Sequence, residues 1–152
     1  AKYFPQHQKC NGRILHIFAR MKKDSPVPPG VLFAYGFNPL STGIEPLGKG
    51  LINTTWKITV DKECYVLQKL NTLVFQSPAS VDHNLVHLAD YFARNNPAYL
   101  FTAPLKSADG QTMIHHENNS YYRMFPFVKG SHTIDVALTA QQAYEAAKQF
   151  GR

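Results

Sequence analysis

Gly48-Lys49-Gly50 is the clearest chemical signal in the chain, a lysine held between two glycines in a short turn. Glycine has no Cβ to keep a ligand at a distance and it admits positive φ, so backbone N–H groups in such a turn can close around phosphate oxygens. Gly48 and Gly50 suit that role; the same run also suits a plain hairpin turn. Two histidine pairs have spacings that metals use: His83 and His87, four residues apart on a helical pattern, and His115-His116. Neither has a third ligand at a telling spacing, which makes them surface histidines. Cys10 and Cys64 lie far apart and form no C-x-x-C, so neither a disulfide framework nor a cysteine zinc site is indicated. A reducing cytoplasm fits that usage.

The elements that must position the glycine turn are readable on either side of it. Gly43 to Gly48 makes a strand that runs into the turn, and Thr54 to Val60 and Tyr65 to Leu70 make a hairpin about Asp61-Lys62-Glu63. Ser77-Pro78 then offers an N-cap and a first-turn proline. Val81, Leu85, Leu88, Ala89 and Phe92 recur at helical spacing until Asn95-Asn96-Pro97 ends them. Tyr99 to Lys106, Gln111 to His115 and Tyr121 to Val128 read as further strands with hairpin-sized gaps. Thr139-Ala140-Gln141-Gln142 is a capping box, followed by a helix whose apolar face is Ala143, Ala146, Ala147 and Phe150. Val31 to Phe37 opens the globular part as a short helix. Before it, Pro26-Val27-Pro28-Pro29-Gly30 reads as a linker, and residues 1–20 as an upstream extension ahead of a natural start at Met21.

The chain has 152 residues, 44% of them hydrophobic and 17% charged, enough for one domain with a buried core. No apolar run has the roughly 18 residues of a membrane span, and the N-terminus lacks the order of a secretory signal. The formal charge of +6 suits a nucleic-acid binder or an enzyme that handles anionic phosphates. Charge alone does not choose between them. A nucleic-acid module would place Tyr121, Tyr122, Phe125 and Phe127 on a sheet face, yet the basic residues are dispersed rather than gathered beside those aromatics.

Three local sequences in fixed order sharpen the reading: Gly48-Lys49-Gly50-Leu51-Ile52-Asn53-Thr54-Thr55-Trp56, Tyr65-Val66-Leu67-Gln68-Lys69-Leu70-Asn71, and Tyr122-Arg123-Met124-Phe125-Pro126-Phe127-Val128-Lys129-Gly130-Ser131. Together they resemble the aminoglycoside-phosphotransferase-type small-molecule kinases, especially the branch similar to N-acetylhexosamine 1-kinases, over about Gly43 to Arg152. The resemblance implies an α+β fold: a protein-kinase-like N-terminal lobe with an antiparallel sheet and one packed helix, then the first helix of a C-terminal lobe. The divisions are residues 1–30 as extension and linker, 31–128 as the nucleotide-binding lobe, and 129–152 as hinge exit and following helix.

The resemblance also implies ATP with Mg²⁺ as cofactors, and contacts from Gly48, Lys49, Gly50, Asn53, Gln68, Lys69, Phe125, Phe127 and Val128. Asn53 stands near the place of a third loop glycine, which implies a loop pinned by a side chain. Kinases carry a lysine on the third strand that pairs with a helix glutamate. Here that position falls on Gln68, Lys69 follows it on the opposite face of a regular strand, and the helix offers only Asp82 and Asp90. Either Gln68 offers an amide to the phosphates, or a bulge turns Lys69 inward, or Lys69 is a solvated strand residue. Backbone groups around Phe125, Phe127 and Val128 would bond an adenine edge, and Arg123 is a substrate or phosphate contact or a salt-bridged strand residue. A catalytic aspartate, its asparagine and a Mg²⁺-binding aspartate would lie beyond Arg152, since His132-Thr133-Ile134-Asp135 has the wrong spacing. The expectation is a lobe of a longer enzyme that phosphorylates a small-molecule hydroxyl, inactive by itself, with Tyr144 and Phe150 free to drive dimerisation. A degenerate lobe acting as an interaction domain is the alternative.

Overall fold

The computed structural model describes residues 25–48, 50, 52–131 and 136–150, with the backbone alone at 149 and 150. The expectations placed on residues 1–20, Lys49, His132 to Asp135 and the Phe150 side chain lie outside this set.

Strand pairing radiates from the Asp61 turn. β1 (Gly43–Pro46), β2 (Thr54–Val60) and β3 (Glu63–Lys69) form an antiparallel meander with Val60 opposite Glu63. Asp61 takes φ +54° in the two-residue loop, a left-handed conformation that a short polar side chain tolerates. The Leu47 N–H donates to the Thr55 carbonyl at 2.9 Å, which carries the β1–β2 ladder beyond Pro46 to the glycine turn. β4 (Met113–His116) and β5 (Ser120–Pro126) are joined by a turn in which Asn118 and Asn119 both have positive φ. β5 pairs with β3, giving one five-stranded antiparallel sheet in the order β1-β2-β3-β5-β4.

Alternation along the strands divides the sheet into two faces. Trp56, Ile58, Leu67, Tyr122 and Met124 point to one face and are buried, together with Val27, Val31 and Leu32. The last two belong to α1 (Pro29–Ala34), which covers that face. Burial of Ile58, Leu67 and Met124 contributes about 1.5–3 kcal/mol each.

Pro26 to Gly30 departs from the expected linker. Val27 is fully buried, Pro28 is extended at the helix N-cap and Pro29 stands at the first helical position. Its fixed φ begins a helix well, because the missing N–H would have had no partner there.

α2 (Pro78–Asn95) has the expected bounds, but Ser77 caps it differently, its Oγ pairing with Ser80 Oγ at 2.7 Å instead of a backbone N–H. Val81, Leu85, Ala89 and Phe92 are half-buried, whereas Leu88 is exposed. Asp82 anchors the first turns of α2 by accepting from Thr112 Oγ1. Phe92 anchors the last by stacking on Tyr99 and Phe101, with ring centroids 4.5 and 5.2 Å away. Those stacks explain why Tyr99 to Lys106 is not the strand its residues predict. Its aromatics turn to α2, Pro104 has no N–H to donate, and of its backbone groups Leu105 N–H reaches β5, at the Met124 carbonyl, 2.7 Å. α3 (Ala140–Phe150) begins with the predicted capping box: Gln142 N–H donates to Thr139 Oγ1 at 3.2 Å, and Gln142 Oε1 accepts from Thr139 N–H at 3.3 Å. No helix of the described residues is long and apolar enough to cross a membrane.

Candidate functional site

The face of the sheet opposite the core opens on a cavity of about 470 Å³ lined by Leu47, Val66, Gln68, Thr102, Phe125, Pro126, Phe127, Val128 and Ser131. Leu47 follows β1 and leads into the glycine turn, whose Gly48 and Gly50 do not themselves line the cavity, nor does Asn53; Val66 and Gln68 lie on β3, and Phe125 to Val128 form the exit of β5. Four residues singled out in the sequence, Gln68, Phe125, Phe127 and Val128, therefore share one wall-to-wall space.

Gln68 faces that space because β3 is regular. Its register against β5 runs unbroken from Tyr65 opposite Pro126 to Lys69 opposite Tyr122, with no bulge. Lys69 consequently falls on the core side, its ammonium 6.0 Å from the Tyr122 ring centroid. Among the three readings for this pair, the geometry puts the Gln68 amide at the cavity and Lys69 away from it.

The Gln68 amide is held. Arg123, its register partner on β5, donates from Nε to Gln68 Oε1 at 3.1 Å. The guanidinium carbon lies 5.3 Å from the Phe125 ring centroid. Arg123 is thus bonded to a neutral amide, rather than to the carboxylate that the salt-bridge alternative called for. Burial holds its pKa below the usual guanidinium value, and the Asp82 carboxylate acts in the opposite sense, favouring the charged form.

The glycine turn is shaped by its own backbone. Gly48 has φ +70°, and a Cβ on Gly50 would run into the carbonyl oxygen of Asn53. Asn53 pins the loop as expected, its Oδ1 accepting the Asn71 backbone N–H at 3.0 Å. That bond commits the Asn53 oxygen to the protein and leaves its NH₂ as the group with ligand-binding capacity.

At the β5 exit one expected donor is consumed. The Phe127 N–H donates to the Cys64 carbonyl at 3.2 Å, one step beyond the end of the β3–β5 ladder. Pro126 has no N–H, so Val128 is the nearest residue with one to offer.

Leu47, Val66, Thr102 and Ser131 were not picked out from the sequence. Val66 carried a signal, since it lies two residues from Gln68 on the same face; Thr102 carried none, because its segment reads as a strand. His83 and His87 lie edge to face at 4.1 Å and His115 stacks on Tyr121 at 4.7 Å. Among the described residues no group of three or more His, Cys, Asp or Glu side chains could hold a metal ion.

No protein-family model matches the chain. Among solved structures, the chain is similar to spectinomycin phosphotransferase, APH(9)-Ia, in complex with ADP and spectinomycin, with a TM-score of 0.51 and 11% sequence identity. The match covers 82% of this chain and 36% of that one, so the chain spans about a third of its neighbour's length. At that identity the likeness is one of fold: the five-stranded sheet and its helices have the architecture of a kinase-like N-terminal lobe.

Proposed function

We propose that this chain is the nucleotide-binding lobe of an ATP-dependent phosphotransferase that acts on a hydroxyl of a small molecule. The observation that carries the proposal is the convergence of Gln68, the β5 exit and Leu47, the residue that leads into the glycine turn, on one cavity. Leu47, Val66 and Phe127 offer apolar walls of the kind that hold a purine ring, and Gly48, open on the side where a Cβ would stand, leaves room for the close backbone approach that phosphates need. In this reading the Val128 N–H and the Pro126 carbonyl bond the adenine edge, since the Phe127 N–H is taken by Cys64. The Gln68 amide faces the phosphates.

Mg²⁺ belongs to this reading through acidic residues of a longer protein, as do the catalytic aspartate and the acceptor site. The neighbouring structure holds ADP and spectinomycin, which supports a nucleotide and a small hydroxyl compound as the ligand classes. An amino sugar is the acceptor we favour, and a reducing cytoplasm the compartment. The competing reading, a non-catalytic kinase-like interaction domain, draws on one observation: glutamine stands where a phosphate-pairing lysine is usual.

Titration calorimetry of the purified chain with ADP and adenosine is the test. Binding of both, weakened by a cavity-filling Val66→Phe variant that keeps the wild-type circular dichroism spectrum, supports the proposal. Saturating ADP without a heat or a shift in melting temperature overturns it and favours the interaction domain.

A further inference from the structure

Gln68 and Arg123 are far apart in the chain yet side by side in the sheet, and their hydrogen bond has a direction. The Arg123 Nε–H donates, so Gln68 Oε1 must be the acceptor. This fixes the amide: its oxygen is turned to the guanidinium, and its NH₂ is the end left for another partner. A flipped amide would set two donors against each other and forfeit a charge-assisted hydrogen bond. Arg123 is itself held by Phe125, under whose ring the guanidinium sits at 5.3 Å. Both residues it touches line the cavity.

We infer that Arg123 and Gln68 work as one unit in place of a strand lysine, Arg123 orienting the Gln68 NH₂ toward a bound polyphosphate and supplying positive charge behind it. Arg123 is a positioning residue in this arrangement, and Gln68 makes the contact. Lys57, on the same face as Val66, lies 5.8 Å from the Phe127 ring centroid and is paired with the Glu45 carboxylate at 3.9 Å. Lys69, the neighbouring strand cation, is on the core side with Tyr122. Asp82 on α2, whose carboxylate favours the charged guanidinium, is itself steadied by Thr112 Oγ1, 2.7 and 2.8 Å from its two oxygens. The lysine–glutamate pair usual in kinases is thereby distributed over three residues, one each on β3, β5 and α2.

The inference rests on the nucleotide reading, and a comparison of ADP with adenosine separates the two. Wild type, Arg123→Met, Arg123→Lys and Gln68→Glu are titrated with both ligands at low and high salt, with melting curves as the folding control. We expect Arg123→Met to lose about tenfold or more in ADP affinity, the size of one charge-assisted hydrogen bond. Adenosine affinity stays within about twofold, since its ring contacts are untouched. The salt dependence of ADP binding falls with the lost charge, and Arg123→Lys restores part of the ADP affinity. Gln68→Glu, which pairs with Arg123 and presents a carboxylate to the phosphates, loses ADP selectively and decides the matter if Arg123→Met does not fold. Equal losses for ADP and adenosine, or no loss for either, overturn the inference while leaving nucleotide binding intact. Absence of adenosine and ADP binding in the wild type overturns the nucleotide reading and this inference together.

Discussion

Asn53 Oδ1 accepts the backbone N–H of Asn71 at 3.0 Å, joining the exit of the glycine turn to the end of β3 across eighteen residues of chain. The turn is therefore tied to the sheet at both sides, by the Leu47–Thr55 backbone bond on entry and by the asparagine on exit. Asn53→Ala removes the acceptor from the Asn71 N–H. The expected cost is about 1 kcal/mol of stability, read by urea denaturation, together with faster amide exchange over residues 52–54.

Gly50→Ala is expected to cost more than Gly48→Ala. At Gly50 the new Cβ meets the Asn53 carbonyl oxygen, so backbone must move and the pinned loop must open. At Gly48 there is room, and the penalty is that of an L-residue at φ +70°, about 1–2 kcal/mol. Melting temperatures of the two variants rank them; equal losses would mean that the turn relaxes freely.

Leu67 and Leu88 test the two sides of the fold. Leu67→Ala empties a fully buried site between Trp56 and Met124 and is expected to cost about 2–5 kcal/mol. Leu88, 47% exposed on α2, is expected to change stability by less than about 0.5 kcal/mol. Chemical denaturation of each variant measures both.

Thr112→Val keeps the shape of a buried residue and deletes the hydroxyl that the Asp82 carboxylate accepts from. A hydrogen bond to a charged group is worth about 1.5–3 kcal/mol, and α2 loses its first anchor. Protease sensitivity of the α2 segment is expected to rise, and ADP affinity to fall if Asp82 supports Arg123 as inferred above.

Tyr35 carries a buried hydroxyl that makes no well-formed hydrogen bond among the described residues, the Met124 backbone giving it only a weak polar contact. Burial is the main cause that pushes its pKa far above the usual 10.0, so the folded state disfavours the phenolate. A raised folded pKa means that the stability is complete below pH 10 and is lost as pH rises above the unfolded value. Tyr35→Phe is expected to match or exceed wild-type stability at pH 7 and to flatten the alkaline loss, measured by melting temperature from pH 7 to pH 11.

Much of this protein was legible residue by residue. The Asp61 hairpin, the bounds of α2 and the capping box of α3 depend on contacts within a few positions, and so does the demand for glycine at Gly48; local pattern therefore predicts them. The linker expectation failed at Val27 because prolines that interrupt one element can begin the next, and burial of a single valine leaves no periodicity to read. Tyr99 to Lys106 failed because its aromatics found partners on a helix rather than in the sheet.

What the chain alone determined is that Gln68 and Lys69 lie on opposite faces of one strand, since side chains in a strand alternate. Which face is core and which is cavity was decided only when α1 laid Val31 and Leu32 over Leu67, putting Lys69 on the covered side and Gln68 on the open one. The pairing of Gln68 with Arg123, of Asp82 with Thr112 and of Phe127 with Cys64 came with the same step. Each joins residues 30 or more apart in the sequence, and at such separations it is the register of the sheet and the packing of the helices, rather than local propensity, that chooses the partner.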